Sequence, residues 1–241
     1  TSSIGGNITT TGTQTYTGAV TITGTAASTR TLVGSTITNS STVNGGGLAL
    51  TITGNAVIDG DLSNITNLSI SGTSSIGGNI TTTGTQTYTG AVTITGTAAT
   101  RTLTNTSSAI TFSSTVDSTA LAANSLTFGA GTGTATFTGA VGGASNGALG
   151  TITNASGQTL IFSDAVSATT IANYGTLLFN ATAAKTISPA ITDNGTTTVQ
   201  VINSANSVAP GVITFSGNVA ADTITIGNTT YAGLHKWCYQ S

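Results

Sequence analysis

Along most of this chain apolar and hydroxyl-bearing residues take turns. In "TYTGAV", residues 15–20, Tyr16 and Val20 are apolar while Thr15 and Thr17 flank the ring on the opposite face; the pattern returns in "TFSSTV" from Thr111, "TFTGAV" from Thr136, "IFSDAV" from Ile161 and "TFSGNV" from Thr214. A period of two predicts β-strands with one face inward and one toward solvent. Gly18, Gly90, Gly139 and Gly217 stand between the two apolar positions, as a corner requires.

Aligned on this motif, the chain has nine anchors: Tyr16, Asn39, Asn64, Tyr88, Phe112, Phe137, Phe162, Ile187 and Phe215, about 25 residues apart. Four places after them come Val20, Val43, Leu68, Val92, Val116, Val141, Val166, Ile191 and Val219, all aliphatic. A unit of this length holding two or three short strands matches one coil of a parallel β-helix better than a β-sandwich or a transmembrane barrel. The expected fold is therefore all-β, a solenoid whose coils stack at roughly 4.8 Å with like residues in ladders. Registration fails around Phe179 and between Ile191 and Phe215, which predicts an insertion or a bulged coil there.

One block occurs twice. Residues 1–27, "TSSIGGNITTTGTQTYTGAVTITGTAA", return unchanged as residues 73–99. The displacement from Thr1 to Thr73 corresponds to three coils of the expected length, so the copies are expected to stand in the same register, spliced in as whole coils. The solenoid is assigned to residues 1–230. Residues 231–241, "YAGLHKWCYQS", hold the only His, Trp and Cys and are expected to be a cap or foreign sequence.

Composition supports strands over helices. Thr, Ser, Asn and Gly dominate, and the charged residues are Asp59, Asp61, Asp117, Asp164, Asp193 and Asp222 against Arg30, Arg101, Lys185 and Lys236, with no Glu. A net charge of −2 with no basic cluster removes the electrostatic basis for binding nucleic acid or anionic lipid. No apolar run is long enough to span a bilayer as a helix, so no membrane insertion is expected. The lack of Met and the start at Thr1 suggest a processed product or a fragment. The single Cys238 forms no internal disulfide.

Chemistry-bearing residues are sparse. Asp59 and Asp61 in "IDGD" are the one close carboxylate pair and fit a turn beside Gly60. Calcium-binding repeats need recurring Asp, and His235 with Cys238 supplies two ligands where a zinc site usually takes four. No residue is assigned as catalytic, cofactor-binding or metal-ligating, no cofactor is expected, and the chain is expected not to be an enzyme. The candidate binding surface is a hydroxyl face: Thr15, Thr17, Thr38, Thr87, Thr89, Thr111, Thr136, Thr138, Thr186 and Thr214, with Ser63 and Ile161 interrupting the row. "TGTQTYT" and "TGTATFT" resemble the T-x-T rows of ice-binding β-solenoids, although the β-propensity of Thr also accounts for such a row.

"SIGGNITTTGTQTYTGAVTITG", with its echoes "TATFTGAV" and "VITFSGNV", resembles the repetitive passenger regions of bacterial surface adhesins of the filamentous-haemagglutinin-like and autotransporter kinds. The resemblance covers roughly residues 1–230. It implies a right-handed β-helix exported by a Gram-negative cell and displayed outside it as a stalk or adhesive fibre. The partners it implies are a host-cell or glycan receptor and further copies of the chain, joined through the solenoid ends. An ice-binding module is the alternative, and a polysaccharide-processing enzyme a more distant one.

Overall fold

A computed structural model of the chain describes residues 1–145, 147–180, 183–194, 198–202, 212–220 and 223–226. The segment 231–241, assigned above to a cap or tail, lies outside the described residues. Every regular element among them is a strand, the strands pair in parallel, and they stack as a β-solenoid of about ten turns. Each coil has three sides, and each side builds its own ladder of inward residues. The first side runs through Val20, Val43, Leu62, Ile80, Leu103 and Phe128. The second runs from Ile8 through Leu32, Ile52 and Ile70 to Tyr88, Phe112, Phe137, Phe162 and Phe179. The third carries Tyr16, Asn39, Ile58, Ile76 and Ile94 in one column and Val92, Val116, Val141, Val166 and Ile187 in the next.

The coil proves shorter than the anchor spacing had led us to expect, roughly 20 residues on average. Its elementary piece is a six-residue side. The first block divides into TSSIGG, NITTTG, TQTYTG and AVTITG, and in each the second and fourth residues point inward while glycine holds the corner. Three such sides make the short coil that brings Val20 beside Ser2, Ile80 beside Leu62 and Val92 beside Ser74. Later coils keep the sides and lengthen the corners, so Ile80 must wait for Leu103, and Leu126 for Ile152, to find its neighbour one coil on. Near the end the two expected irregularities turn out differently: the step from Phe162 to Phe179 is shortened where an insertion or a bulged coil was expected, whereas Ile191 meets Val219 after a lengthened step.

This six-residue unit overturns the expectation of whole-coil splicing. In the first block Ser2–Ile4 lies on the first side and Gln14–Tyr16 on the third; in the second, Ser74–Ile76 lies on the third side and Gln86–Tyr88 on the second. The copies are therefore offset by eleven sides, one short of four coils, because extra residues in the intervening corners take up the remaining length. The anchors accordingly do not form one column. Tyr16 and Asn39 belong to the third side and Tyr88 to Phe162 to the second, while Asn64, at φ 53°, is exposed in a bulge.

Within the core the aromatic residues stack. Neighbouring rings of Tyr88, Phe112, Phe137 and Phe162 are nearly parallel with centroids 4.8–5.0 Å apart, and Phe128 meets Phe112 and Phe137 edge-on. Both arrangements suit the ring quadrupole, and each pair contributes about 0.5–1.5 kcal/mol beyond the area it buries.

Candidate binding face and the polar groups that frame it

The predicted hydroxyl residues do not make one row. Thr87, Thr111 and Thr136 stand in direct register on the second side, continued by Ser69, Thr51 and Thr31 in one direction and ended by Ile161 and Leu178 in the other. Thr15 and Thr38 form a separate pair on the third side, leading into Val57 and Ser75. Thr186 and Thr214 pair on that side farther along. Thr17, Thr89 and Thr138 fall just past their strands, at exposed corners. The cause is the one-side offset between copies, which carries Thr15 and Thr87 to different sides.

The second side also holds a row the alignment missed. From Ala109 it passes through Thr134, Thr159 and Thr176, two residues along from the first row. Thr134 and Thr136 thus form a T-x-T pair in register with neighbours above and below. The signal was present in "TLIF" and "TLLF", whose leading Thr is the outward residue two places before the outward Ile161 or Leu178. Stacked strands space these hydroxyls and methyls at roughly 4.8 Å along the rod.

Behind the face, buried amides fix the coils to one another. Gln86, fully buried, donates from Nε2 to the Thr104 carbonyl at 2.9 Å and to Thr82 Oγ1 at 3.3 Å, and its Oε1 accepts from the Tyr88 hydroxyl at 2.9 Å. The first block repeats this on another side: Gln14 Nε2 reaches the Val33 carbonyl at 2.7 Å and Thr10 Oγ1 at 3.3 Å, and Tyr16 donates to Gln14 Oε1 at 2.9 Å. The local sequence dictates the network, whichever side it occupies. Burial pushes the Tyr88 phenol far above its ordinary value, so it serves here as a neutral donor. Gln86→Ala is expected to cost about 1–3 kcal/mol in urea unfolding, since it leaves the buried Tyr88 hydroxyl without its acceptor. Gln14→Ala, beside the half-buried Tyr16, is expected to cost less.

Among the described residues, Asp61, Asp117, Arg30 and Arg101 serve corners, and Lys185 pairs with Asp164. Asp61 Oδ1 accepts from the Asn79 amide at 2.7 Å and Asp117 Oδ1 from the Ala144 amide at 3.0 Å. Arg30 and Arg101 fold back on the carbonyls of Thr23 and Thr95, both at 3.0 Å. Asp59 is exposed beside Gly60, between the strands Val43–Ile58 and Leu62–Ile70, in the turn expected for it. Among the described residues no three His, Cys, Asp or Glu side chains gather as metal ligands.

Lys185 Nζ lies 2.5 Å from Asp164 Oδ1. Burial alone would push the Asp164 carboxyl up, but hydrogen bonds from Lys185 and the Ala165 amide, with the Lys185 charge, outweigh it and hold the group below the usual carboxylate value. A carboxylate depressed in this way stabilises the fold above its unfolded pKa of about 4, and loses that contribution as pH falls through the folded value. Thermal melts should therefore show wild type above Asp164→Asn at pH 7, with the gap closing in more acidic buffer. A gap that stays constant would mean that the ion pair does not couple to folding.

The protein is thus a β-solenoid with hydroxyl-bearing sides and an aromatic and amide core. No family model, curated protein or solved structure matches the chain.

Proposed function

We propose that this chain is a structural and adhesive segment of a bacterial surface protein, displayed outside the cell as part of a stalk or fibre. The observation that carries the proposal is the architecture itself: stacked parallel coils whose outward positions repeat Thr and Ser along a rod. The resemblance of "SIGGNITTTGTQTYTGAVTITG" and its echoes to adhesin passenger regions supports it. Its partners are a glycan or a host-cell receptor along the sides and like solenoids at the ends, with no nucleic acid, membrane insertion, cofactor or catalysis involved. Rows of hydroxyls and methyls offer many weak, evenly spaced contacts, which suits adhesion through multivalency. The test is to coat beads with the purified protein and expose them to a glycan array and to host cells. Saturable retention, lost when Thr87, Thr111 and Thr136 are changed together to Asp, is expected; retention indifferent to that change would count against the side as the contact.

A second reading rests on the paired rows of the second side, where Thr134 and Thr136 stand in register with Ala109 and Thr111 on one flank and with Thr159 and Ile161 on the other. Adjacent rows of Thr hydroxyls and methyls offer a surface that could order water, and an ice-recrystallisation assay separates the two readings. Inhibition that disappears in Thr136→Tyr would favour ice binding over adhesion.

A further inference from the structure

Between the strands Val116–Ser118 and Ser125–Phe128 the chain turns a corner through "TALAAN", residues 119–124. At its tip Leu121 is 82% exposed, the most exposed large apolar side chain among the described residues. Leu121 and Ala123 hold left-handed φ values of 62° and 45°, which are unfavourable for any residue with a Cβ. Among the described residues, the main-chain amides and carbonyls of Ala120, Leu121 and Ala123 have no partner. The tip is held by two main-chain bonds, from the Ala122 amide to the Thr119 carbonyl at 3.0 Å and from the Ala98 amide to the Ala122 carbonyl at 3.1 Å.

The base of this corner is pinned where the tip is not. Asn124 is fully buried; its Oδ1 accepts from the Ala99 amide at 2.9 Å, and its Nδ2 donates to the Ile94 carbonyl at 3.0 Å and to Ser118 Oγ at 3.1 Å. The Thr119 amide donates to the Ile94 carbonyl at 2.9 Å. Residues 120–123 can therefore open locally while the strands on either side stay paired.

We infer that the Leu121–Ala122 peptide bond is a processing site for an endopeptidase with an apolar primary pocket, and that the cut chain stays assembled. Exposed loop tips of small residues are where proteolytic nicking concentrates. Here Leu121 supplies the side chain for the pocket, Ala residues flank it, and three corner residues lie on each side of the bond before a strand begins. Hydrolysis adds water across the bond: the hydroxyl joins the Leu121 carbonyl carbon, the hydrogen joins the Ala122 nitrogen, and the backbone strain is released. The pieces remain stacked because Val92–Ile94 pairs with Val116–Ser118 and Thr100–Asn105 with Ser125–Phe128. The inference concerns one corner and stands apart from the adhesive role of the sides.

Other exposed positions are better guarded. Tyr174 sits in a two-residue corner, with its amide on the Asn154 carbonyl and the Gly175 amide on Asn173 Oδ1. The Val212 carbonyl accepts from the Lys185 amide. Arg30, Arg101 and Lys185, which a cation-selecting protease would need, lie within strands.

The test exposes the folded full chain briefly to chymotrypsin and, separately, to trypsin, and maps the cuts by mass spectrometry. Within residues 1–202 chymotrypsin is expected to cut first after Leu121, and trypsin not to cut. The nicked chain should elute as the intact one on size exclusion and separate in denaturant. Leu121→Gly, which suits the left-handed φ, should melt no lower than wild type and be cut at least about tenfold more slowly. Leu121→Lys should exchange the specificity, resisting chymotrypsin and admitting trypsin at residue 121. The inference is overturned by an earlier chymotrypsin cut elsewhere in 1–202, or by no cut after Leu121 at an enzyme level that digests the urea-unfolded chain. Resistance of Leu121→Lys to trypsin, or separation of the pieces in buffer, would overturn it as well.

Discussion

Phe137→Ala should lower the unfolding free energy by about 3–5 kcal/mol, as large-to-small changes at fully buried aromatic positions do. Phe137 is 0% exposed and sits in the middle of the ring column. It stacks on Phe112 and Phe162, both at 4.8 Å, and receives the edge of Phe128 at 5.6 Å. Removing it opens a void that three neighbours cannot fill without leaving their ladders. In a solenoid each coil contacts only its neighbours, so the weakened region is expected to unfold locally before the rest. Urea titration monitored by hydrogen exchange at the main-chain amides of residues 112, 137 and 162 checks this. A loss under about 1 kcal/mol would mean that these rings do not stack through consecutive coils.

The second large effect compares two glycines in the same sequence context, "SSIGGN". Gly78→Ala would place a methyl 2.2 Å from the Gly60 oxygen and 2.4 Å from its carbonyl carbon. Both are backbone atoms, which have no rotamer in which to yield, so adjacent coils must separate at that corner. Overpacking of this kind costs about 1–3 kcal/mol. Gly6→Ala meets nothing within 4 Å and should stay within about 0.5 kcal/mol of wild type. Neither glycine has a left-handed φ, so the contrast isolates the neighbouring coil from backbone preference. Equal melting temperatures for the two variants would contradict the placement of residues 55–72 over the second block.

The solenoid itself was legible in the sequence because alternation and glycine spacing are local signals that survive any stacking. The stretch from Tyr88 to Phe162 was also placed correctly, since every coil there lengthens by a similar corner and the aromatic residues remain in step. Coil length and the relation between the copies were not legible. They depend on how many residues each corner absorbs, and corners such as residues 23–29 and 95–99 carry small residues with no periodic mark. Ala27 and Ala98, both with positive φ, lie in these corners, where an alignment built on Gly would not look for a turn. The hydroxyl residues were read as one row for the same reason: an alignment that treated the coil as the unit merged Thr15 and Thr87, which the corners send to different sides.

Because a six-residue side is the interchangeable piece, a duplication in this chain rotates as well as repeats. Its "TQTYT" surface faces one way at residues 13–17 and, a third of a turn around the rod, another way at residues 85–89. Copying by sides spreads one chemical motif around the circumference without any new sequence. In the adhesive role proposed above, a rod built in this manner would present the same motif to a partner from more than one bearing.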